Sequence, residues 1–369
     1  MRSSRSTRSR RGARSAAAPI STGLALAVAL LSVGTAACAG SARGADGDDS
    51  ADSADLRWSL SQPIVFTGAC DASGAAGLSG GRIAVADDED NHLRVYDLDA
   101  GGAPLELLDV SADLVDPGGK HPELDLEASA TVGSRIYWIA SHSRKKSGKR
   151  AASRLRLFAT DLAPGGGAAV QTLALAGRPY ERLLADLTLA PGLAGHDLAA
   201  AAGRSPVQEG GLNIEGMTDI PGTGTLLLGF RSPVPRGRAL LVPVRNPAAM
   251  IERGEPAEIG PPIDLDLGGR GVRALVSWAG AYWIVAGSPL GRAESRLYRW
   301  DGSSAPVWIR SVRFGDLNPE ALAEVSLGPR RGLLILSDDG ERVMGGRICK
   351  RLKDVSAKQF RAVWLEKVP

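Results

Sequence analysis

The sequence predicts an all-β chain folded as a single β-propeller of five or six blades, with seven left open, preceded by a signal peptide and a flexible tether. Three observations carry this expectation. Short apolar and β-branched runs bounded by Gly, Pro, Asn and Asp recur along the chain, as in Arg82 to Ala86, Arg135 to Ala140, Thr225 to Phe230, Tyr282 to Ala286 and Gly332 to Ser337; runs of this kind form strands. Helical candidates are few and short, Pro179 to Leu187 and Pro247 to Arg253 being the best, so helices cannot cover a parallel sheet. Finally, a lead-in motif followed by a strongly apolar strand repeats five times at spacings of about 55, 88, 58 and 47 residues; apart from the odd 88-residue gap these are near the period of a propeller blade.

In chain order, the first segment is a targeting signal. Six arginines, Arg2, Arg5, Arg8, Arg10, Arg11 and Arg14, precede the uncharged stretch Ala16 to Ala37, whose apolar centre at Leu24 to Val33 is short for a membrane span. Removing residues 1–37 turns the formal charge of +3 into −3, so the basic balance of the full chain gives no reason to expect nucleic-acid binding. Thr35-Ala36-Ala37-Cys38 has the small residues and the cysteine of a bacterial lipobox, which would make Cys38 a lipidated first residue; a soluble secreted form is the alternative. Residues 38–58, rich in Ala, Ser, Gly and Asp, read as an acidic disordered tether. Residues 59–369 are assigned to the propeller.

The five copies begin with Cys70-Asp71-Ala72-Ser73-Gly74, Asp125-Leu126-Glu127-Ala128, Asn213-Ile214-Glu215-Gly216-Met217, Gly271-Val272-Arg273-Ala274-Leu275 and Asn318-Pro319-Glu320-Ala321-Leu322. The wide interval between the second and third copies leaves room for an extra, degenerate blade. Pro63 to Gly68 and Phe360 to Val368 both read as strands, so the two chain ends are expected to share a blade and close the ring. With Cys38 lipidated or removed, Cys70 and Cys349 are the remaining cysteines, one near each end. In an exported protein a disulfide between them would fasten that seam; two buried free thiols are the alternative.

Aligned by repeat, Ser73, Glu127, Glu215, Arg273 and Glu320 are equivalent, and in a ring equivalent residues converge on the axis. Glu127, Glu215 and Glu320, with Asp71 and Asp338, are therefore candidates for a ligand or metal site at the channel mouth. Like charges brought together raise one another's pKa or recruit a cation, and calcium takes six to eight oxygen ligands, so calcium is the cofactor the pattern allows. In the competing reading the glutamates pair with arginines and merely brace the blades. Arg144, Arg231, Arg273 and His142 are candidates for anion binding. The run Asp87-Asp88-Glu89-Asp90-Asn91 lacks the EF-hand pattern, with His92 where glycine is needed, and reads as a solvated turn. No CxxC, HExxH or GxxxxGK[ST] string occurs. His142 has Ser141 and Ser143 beside it, but neighbours in a strand point apart, so Ser/His nucleophilic chemistry is disfavoured.

Gly68 to Gly74, Ala86 to Asn91, Asp125 to Ala128 with Arg135 to His142, Gly211 to Gly216, and Ala239 to Pro243 followed by Arg245-Asn246-Pro247 resemble the bacterial family DUF3616. Leu317 to Ala321, Ser337 to Gly340 and Cys349-Lys350 extend the resemblance over about residues 64 to 366. It implies an exported, propeller-like domain without a settled activity. More distantly, the Asn-Ile-Glu-Gly-Met lead-in is similar to a motif of the esterase-like phytase domain, from which no catalytic residue is carried over by position.

The sequence thus leads to a monomeric envelope propeller that binds a small ligand or an envelope protein at one face of its ring. It is lipid-anchored through Cys38, or periplasmic or secreted, with no nucleic-acid partner and no other membrane contact. The alternatives are a calcium-dependent phosphoesterase, with Arg144 and Arg231 holding the phosphate, and a structural scaffold; whether the chain is an enzyme is left open.

Overall fold

Each of the five lead-in motifs opens the innermost strand of a blade in the computed structural model, which describes residues 57–114, 123–164, 171–291 and 294–368. Blade 1 runs through Ala72–Leu78, Arg82–Asp87, His92–Asp97 and Glu106–Asp109. Blade 2 follows with Leu126–Val132, Arg135–Ala140, Leu157–Pro164 and Gln171–Tyr180. Blade 3 comprises Asn213–Ile220, Thr225–Ser232, Ala239–Val244 and Ile263–Leu265, and blade 4 Gly271–Trp278, Ala281–Gly287, Arg296–Trp300 and Val307–Trp308. In blade 5, Pro319–Leu327 and Arg330–Ser337 are joined by the C-terminal strand Gln359–Lys367. Every pairing inside a blade is antiparallel. Each innermost strand packs against the next, and that of blade 5 against that of blade 1, so the ring is closed at five blades.

Both faces of a blade are buried against neighbours, which is why the second strands read as unbroken apolar runs. Leu226 and Leu228 face the cluster between blades 2 and 3, while Leu227 between them faces the one between blades 3 and 4. Ile83 and Val85 pack toward blade 5, and Ala84 and Ala86 toward blade 2. Leu333 and Ile335 pack toward blade 4, completing the circuit. Where innermost strands come close, Gly77 is needed: a Cβ there would run into the Glu324 carbonyl of blade 5.

The seam closes as the chain ends suggest. Ile64–Thr67 pairs with the C-terminal strand in the register Ile64↔Ala362 and Phe66↔Phe360, and Trp58–Leu60 pairs further along it, Trp58↔Lys367. The first described strand thus starts inside the stretch assigned to the tether, because Trp58 packs edge-on against Trp283, 5.0 Å between ring centroids. Cys70 and Cys349 form a disulfide with Cα atoms 5.9 Å apart. The signal peptide, Cys38 and nearly all of the tether lie outside the described residues.

Two expectations change. The interval between the second and third lead-ins holds no sixth blade among its described residues; blade 2 has the longest outer strand of the ring, and the short helices Leu183–Leu189, Pro191–His196 and Leu198–Ala202 follow it. The helix expected from Pro179 begins at Leu183, since Pro179 and Tyr180 still belong to that outer strand, where Tyr180 pairs with Leu157 beyond a register shift. The second expected helix, Pro247–Arg253, is present.

Candidate functional site

The repeat alignment has a structural cause that was not legible beforehand. In every innermost strand the register with the second strand slips by one residue at the same place: between Ala72 and Gly74, Leu126 and Ala128, Ile214 and Gly216, Val272 and Ala274, and Pro319 and Ala321. The extra residues are Ser73, Glu127, Glu215, Arg273 and Glu320. A bulge leaves its residue out of the ladder and re-aims the side chain. Four of the five line a cavity of about 810 Å³ at the mouth of the channel, together with Asp71, Asp88, Asp125, Arg231 and Asp338. Ser73 instead braces two blades, donating from Oγ to the Leu126 carbonyl at 2.5 Å.

Charge is compensated on one side of the mouth. Arg273 is buried, forms an ion pair with Glu320 and faces the second oxygen of Glu215 at 3.7 Å. Arg231 donates to Glu215 Oε1 at 2.7 Å, and Asn213 donates to the same oxygen. Asn318 bridges Glu320 and Asp338, at 3.0 and 2.8 Å. The brace reading therefore describes Glu215 and Glu320. Burial lowers the pKa of the Arg273 guanidinium against the pull of Glu215, whereas Glu215 raises that of Arg231.

The other side differs. Glu127 is 7% exposed and makes no hydrogen bond or ion pair among the described residues, Arg231 acting on it only from a distance. Burial drives its pKa well above the usual range, with Glu215, Asp125 and Asp88 adding to the rise. Asp71 Oδ2 and Asp88 Oδ1 are buried without hydrogen-bond partners. Burial, then the neighbouring Asp87, Asp338 and Glu89, push Asp71 up to about 8. Asp88 is raised well above its usual value, again first by burial. Asp125 does have a cation, Arg154 Nη1 at 2.7 Å.

Several sequence-level assignments shift. The acidic run after blade 1's second strand is not a solvated turn. Asp87 is buried and accepts from the Cys70, Asp71 and Glu89 amides, Asp88 faces the mouth, Asp90 pairs with Arg94, and Glu89 with Lys350. Arg144 does not line the mouth; it holds the Ala202 and Gly148 carbonyls at 2.8 and 3.1 Å. His142 does not line it either. Its backbone is left-handed, φ 55°, its Nδ1 donates to the Ala140 carbonyl at 2.8 Å, and it borders a separate cavity of about 540 Å³ beside Leu184 and Ala202. Arg154 was missed because it lies in a short 3-10 turn, Ala152–Arg154, without repeat or motif. The string Gly77-Leu78-Ser79-Gly80-Gly81 has the spacing of a nucleophile elbow, but it forms the turn between two antiparallel strands. An elbow needs a strand-to-helix turn.

His142 gives a pH prediction. Burial lowers its pKa to about 4, below the ordinary histidine value, so the unfolded chain binds the extra proton and stability is lost as pH falls between the two. Wild type should lose about 2 kcal/mol relative to His142→Asn between pH 7 and pH 5, asparagine tolerating the left-handed backbone. Parallel denaturant curves for both proteins would expose the difference; equal pH slopes would show that the ring is protonated at little cost.

Fold and site define the class: a five-bladed β-propeller whose bulged innermost strands present acids and arginines at the channel mouth. Residues 180–323 match the family described as "Protein of unknown function (DUF3616)". That span holds the Asn213-Ile214-Glu215-Gly216 motif, blade 4 and the Asn318-Pro319-Glu320 lead-in; the blade 1 and blade 2 motifs fall outside it. No curated protein matches the chain. Among solved structures, glutaminyl cyclase from Myxococcus xanthus is 10% identical with a TM-score of 0.44, over 85% of this chain and 99% of that one. The PQQ-bound aldose sugar dehydrogenase from Streptomyces coelicolor is 15% identical with a TM-score of 0.42, over 84% and 99%.

Proposed function

We propose that this chain is an exported β-propeller that binds a small, positively charged ligand at its channel mouth. The observation that carries the reading is the set Asp71, Asp88 and Glu127 on the wall of an 810 Å³ cavity, three carboxylates that form no ion pair among the described residues, with Asp71 Oδ2 and Asp88 Oδ1 also lacking hydrogen-bond partners. Unpaired buried acids are costly, and a cationic group would relieve that cost. Arg231 and Arg273 neutralise Glu215 and Glu320, so the attraction is left to the acids that have no ion pair. Export is supported by the Cys70–Cys349 disulfide, a bond that persists in oxidising compartments, and by the arginine-rich leader. Lipidation at Cys38 would hold the monomer at the envelope.

The test is calorimetric titration of the full chain with spermidine and CaCl2 as positive probes, and with phosphate and phytate as negative ones. At least one positive probe should bind saturably, and Glu127→Gln should weaken it by about tenfold or more, about 1.4 kcal/mol. Binding of the anions alone, or a Glu127→Gln protein that behaves as wild type, overturns the proposal.

The calcium-dependent phosphoesterase is favoured by the same three carboxylates, since a metal there would supply an activated water. Its phosphate-holding half is weaker. Arg144 lies away from the mouth, and Arg231 spends its nitrogens on Glu215 and on the Ser288 and Gly291 carbonyls. Calcium-dependent turnover of phosphomonoesters or phytate would put this reading first.

A further inference from the structure

We infer that Asp71, Asp87 and Asp88 form a binding site for a hard divalent cation such as calcium, set in the seam where the first and last blades meet. The inference rests on the cation-attracting mouth proposed above and names the ion class and its place. One oxygen from each of the three carboxylates lies within 4.8 Å of the others. Calcium–oxygen distances of about 2.3–2.6 Å put two ligands of one ion up to about 5 Å apart, so the cluster spans a single ion. Asp71 is 4% exposed and its Oδ2 is buried without a hydrogen-bond partner, as is Asp88 Oδ1. The nearest lysine, Lys350, is engaged by Glu89 and Glu341 at 3.2 and 2.7 Å. The donors are oxygens alone, which suits a hard ion over zinc or copper.

The surrounding loops are held in place independently of any ion. Asp87 fixes the Cys70–Asp71 and Glu89 amides, keeping its own carboxylate at the cluster. Asp71 forms a β-bridge with Asp338 of blade 5, the Asp339 amide donates to the Cys70 carbonyl at 2.8 Å, and the disulfide follows one residue away. Gly340 lies so close to the Asp71 carboxylate that a Cβ would overlap it. An ion seated here touches blade 1 directly and holds it to the loop of blade 5. Since calcium takes six to eight oxygens, water or ligand atoms from the open mouth complete the shell, which places the ion where it can take part in binding.

The experiment is calorimetric and thermal titration of chelator-treated full chain with CaCl2. Saturable binding of a single ion and a rise in unfolding temperature are expected, with Asp71→Asn and Asp88→Asn each weakening calcium by about tenfold or more. Glu324→Gln, which removes the same charge at the opposite end of the channel, should leave affinity unchanged. Melting curves without calcium show whether each variant is folded, and either asparagine variant alone suffices. No saturable calcium binding by wild type, or wild-type affinity in both asparagine variants, overturns the inference. If calcium fails while spermidine still binds in a Glu127-dependent way, only the ion assignment falls; if neither binds, the reading of the mouth falls with it.

Discussion

Replacing Cys70 and Cys349 together with serine should lower the unfolding free energy by about 5 kcal/mol and the midpoint by roughly 8 °C. The bond spans 279 positions, almost the whole ring, so its main effect falls on the unfolded chain: a closed loop of this length has far fewer conformations than an open one, and the entropic benefit grows with the logarithm of loop size. The native ring should survive, because the seam is also held by the pairing of Ile64–Thr67 and Trp58–Leu60 with the C-terminal strand. Paired serines are a better probe than reductant, since both cysteines are fully buried in the fold. Thermal and denaturant unfolding of the double variant, with far-UV circular dichroism at 25 °C, gives the measurement. A loss below about 1 kcal/mol would mean that the disordered state keeps the two ends together by other means.

Arg273→Met should cost about 3–5 kcal/mol, the magnitude found when one partner of a buried ion pair is removed. Arg273 is 4% exposed and serves Glu215 and Glu320 from two neighbouring blades, so its loss strands two acids at once. Arg231 still holds Glu215, which leaves Glu320 the more exposed to the change. The cause can be separated from lost packing. Adding Glu215→Gln and Glu320→Gln to Arg273→Met removes the orphaned charges while keeping volume, and should recover most of the deficit, a non-additivity expected of residues in one network. A triple variant as unstable as the single one would show that Arg273 acts through its hydrocarbon stem.

The ring was legible because its signals are local. Runs such as Leu226-Leu227-Leu228 and Leu333-Leu334-Ile335-Leu336 are apolar on both alternating faces, which a strand buried between two neighbours requires, and the lead-in motifs sit one hairpin ahead of them. The equivalence of Glu127, Glu215, Arg273 and Glu320 was also visible, although the bulge that turns each toward the axis was not, since nothing in one strand's sequence states its partner's register. Asp88 was misjudged because an acidic run after a strand is usually solvated; here Asp87 is turned inward by the amides of Cys70 and Asp71. His142 looked like an anion-binding residue, but with its left-handed backbone the ring bonds back to its own strand, at the Ala140 carbonyl.

The residues in order were enough to determine the wedge-like repeats and the pairing of the two chain ends, and to point to the disulfide and to part of the set of side chains that converge on the axis. All of these follow from side-chain periodicity, turn chemistry and the placement of cysteines. Which acids meet a guanidinium was decided only when the ring closed. Arg273 reaches Glu320 across a blade boundary and Arg231 reaches Glu215 across a hairpin, whereas Asp71, Asp88 and Glu127 line the same cavity without a guanidinium in ion-pair contact. Coulomb energy and desolvation depend on distance and burial in three dimensions, and neither can be read from spacing along the chain.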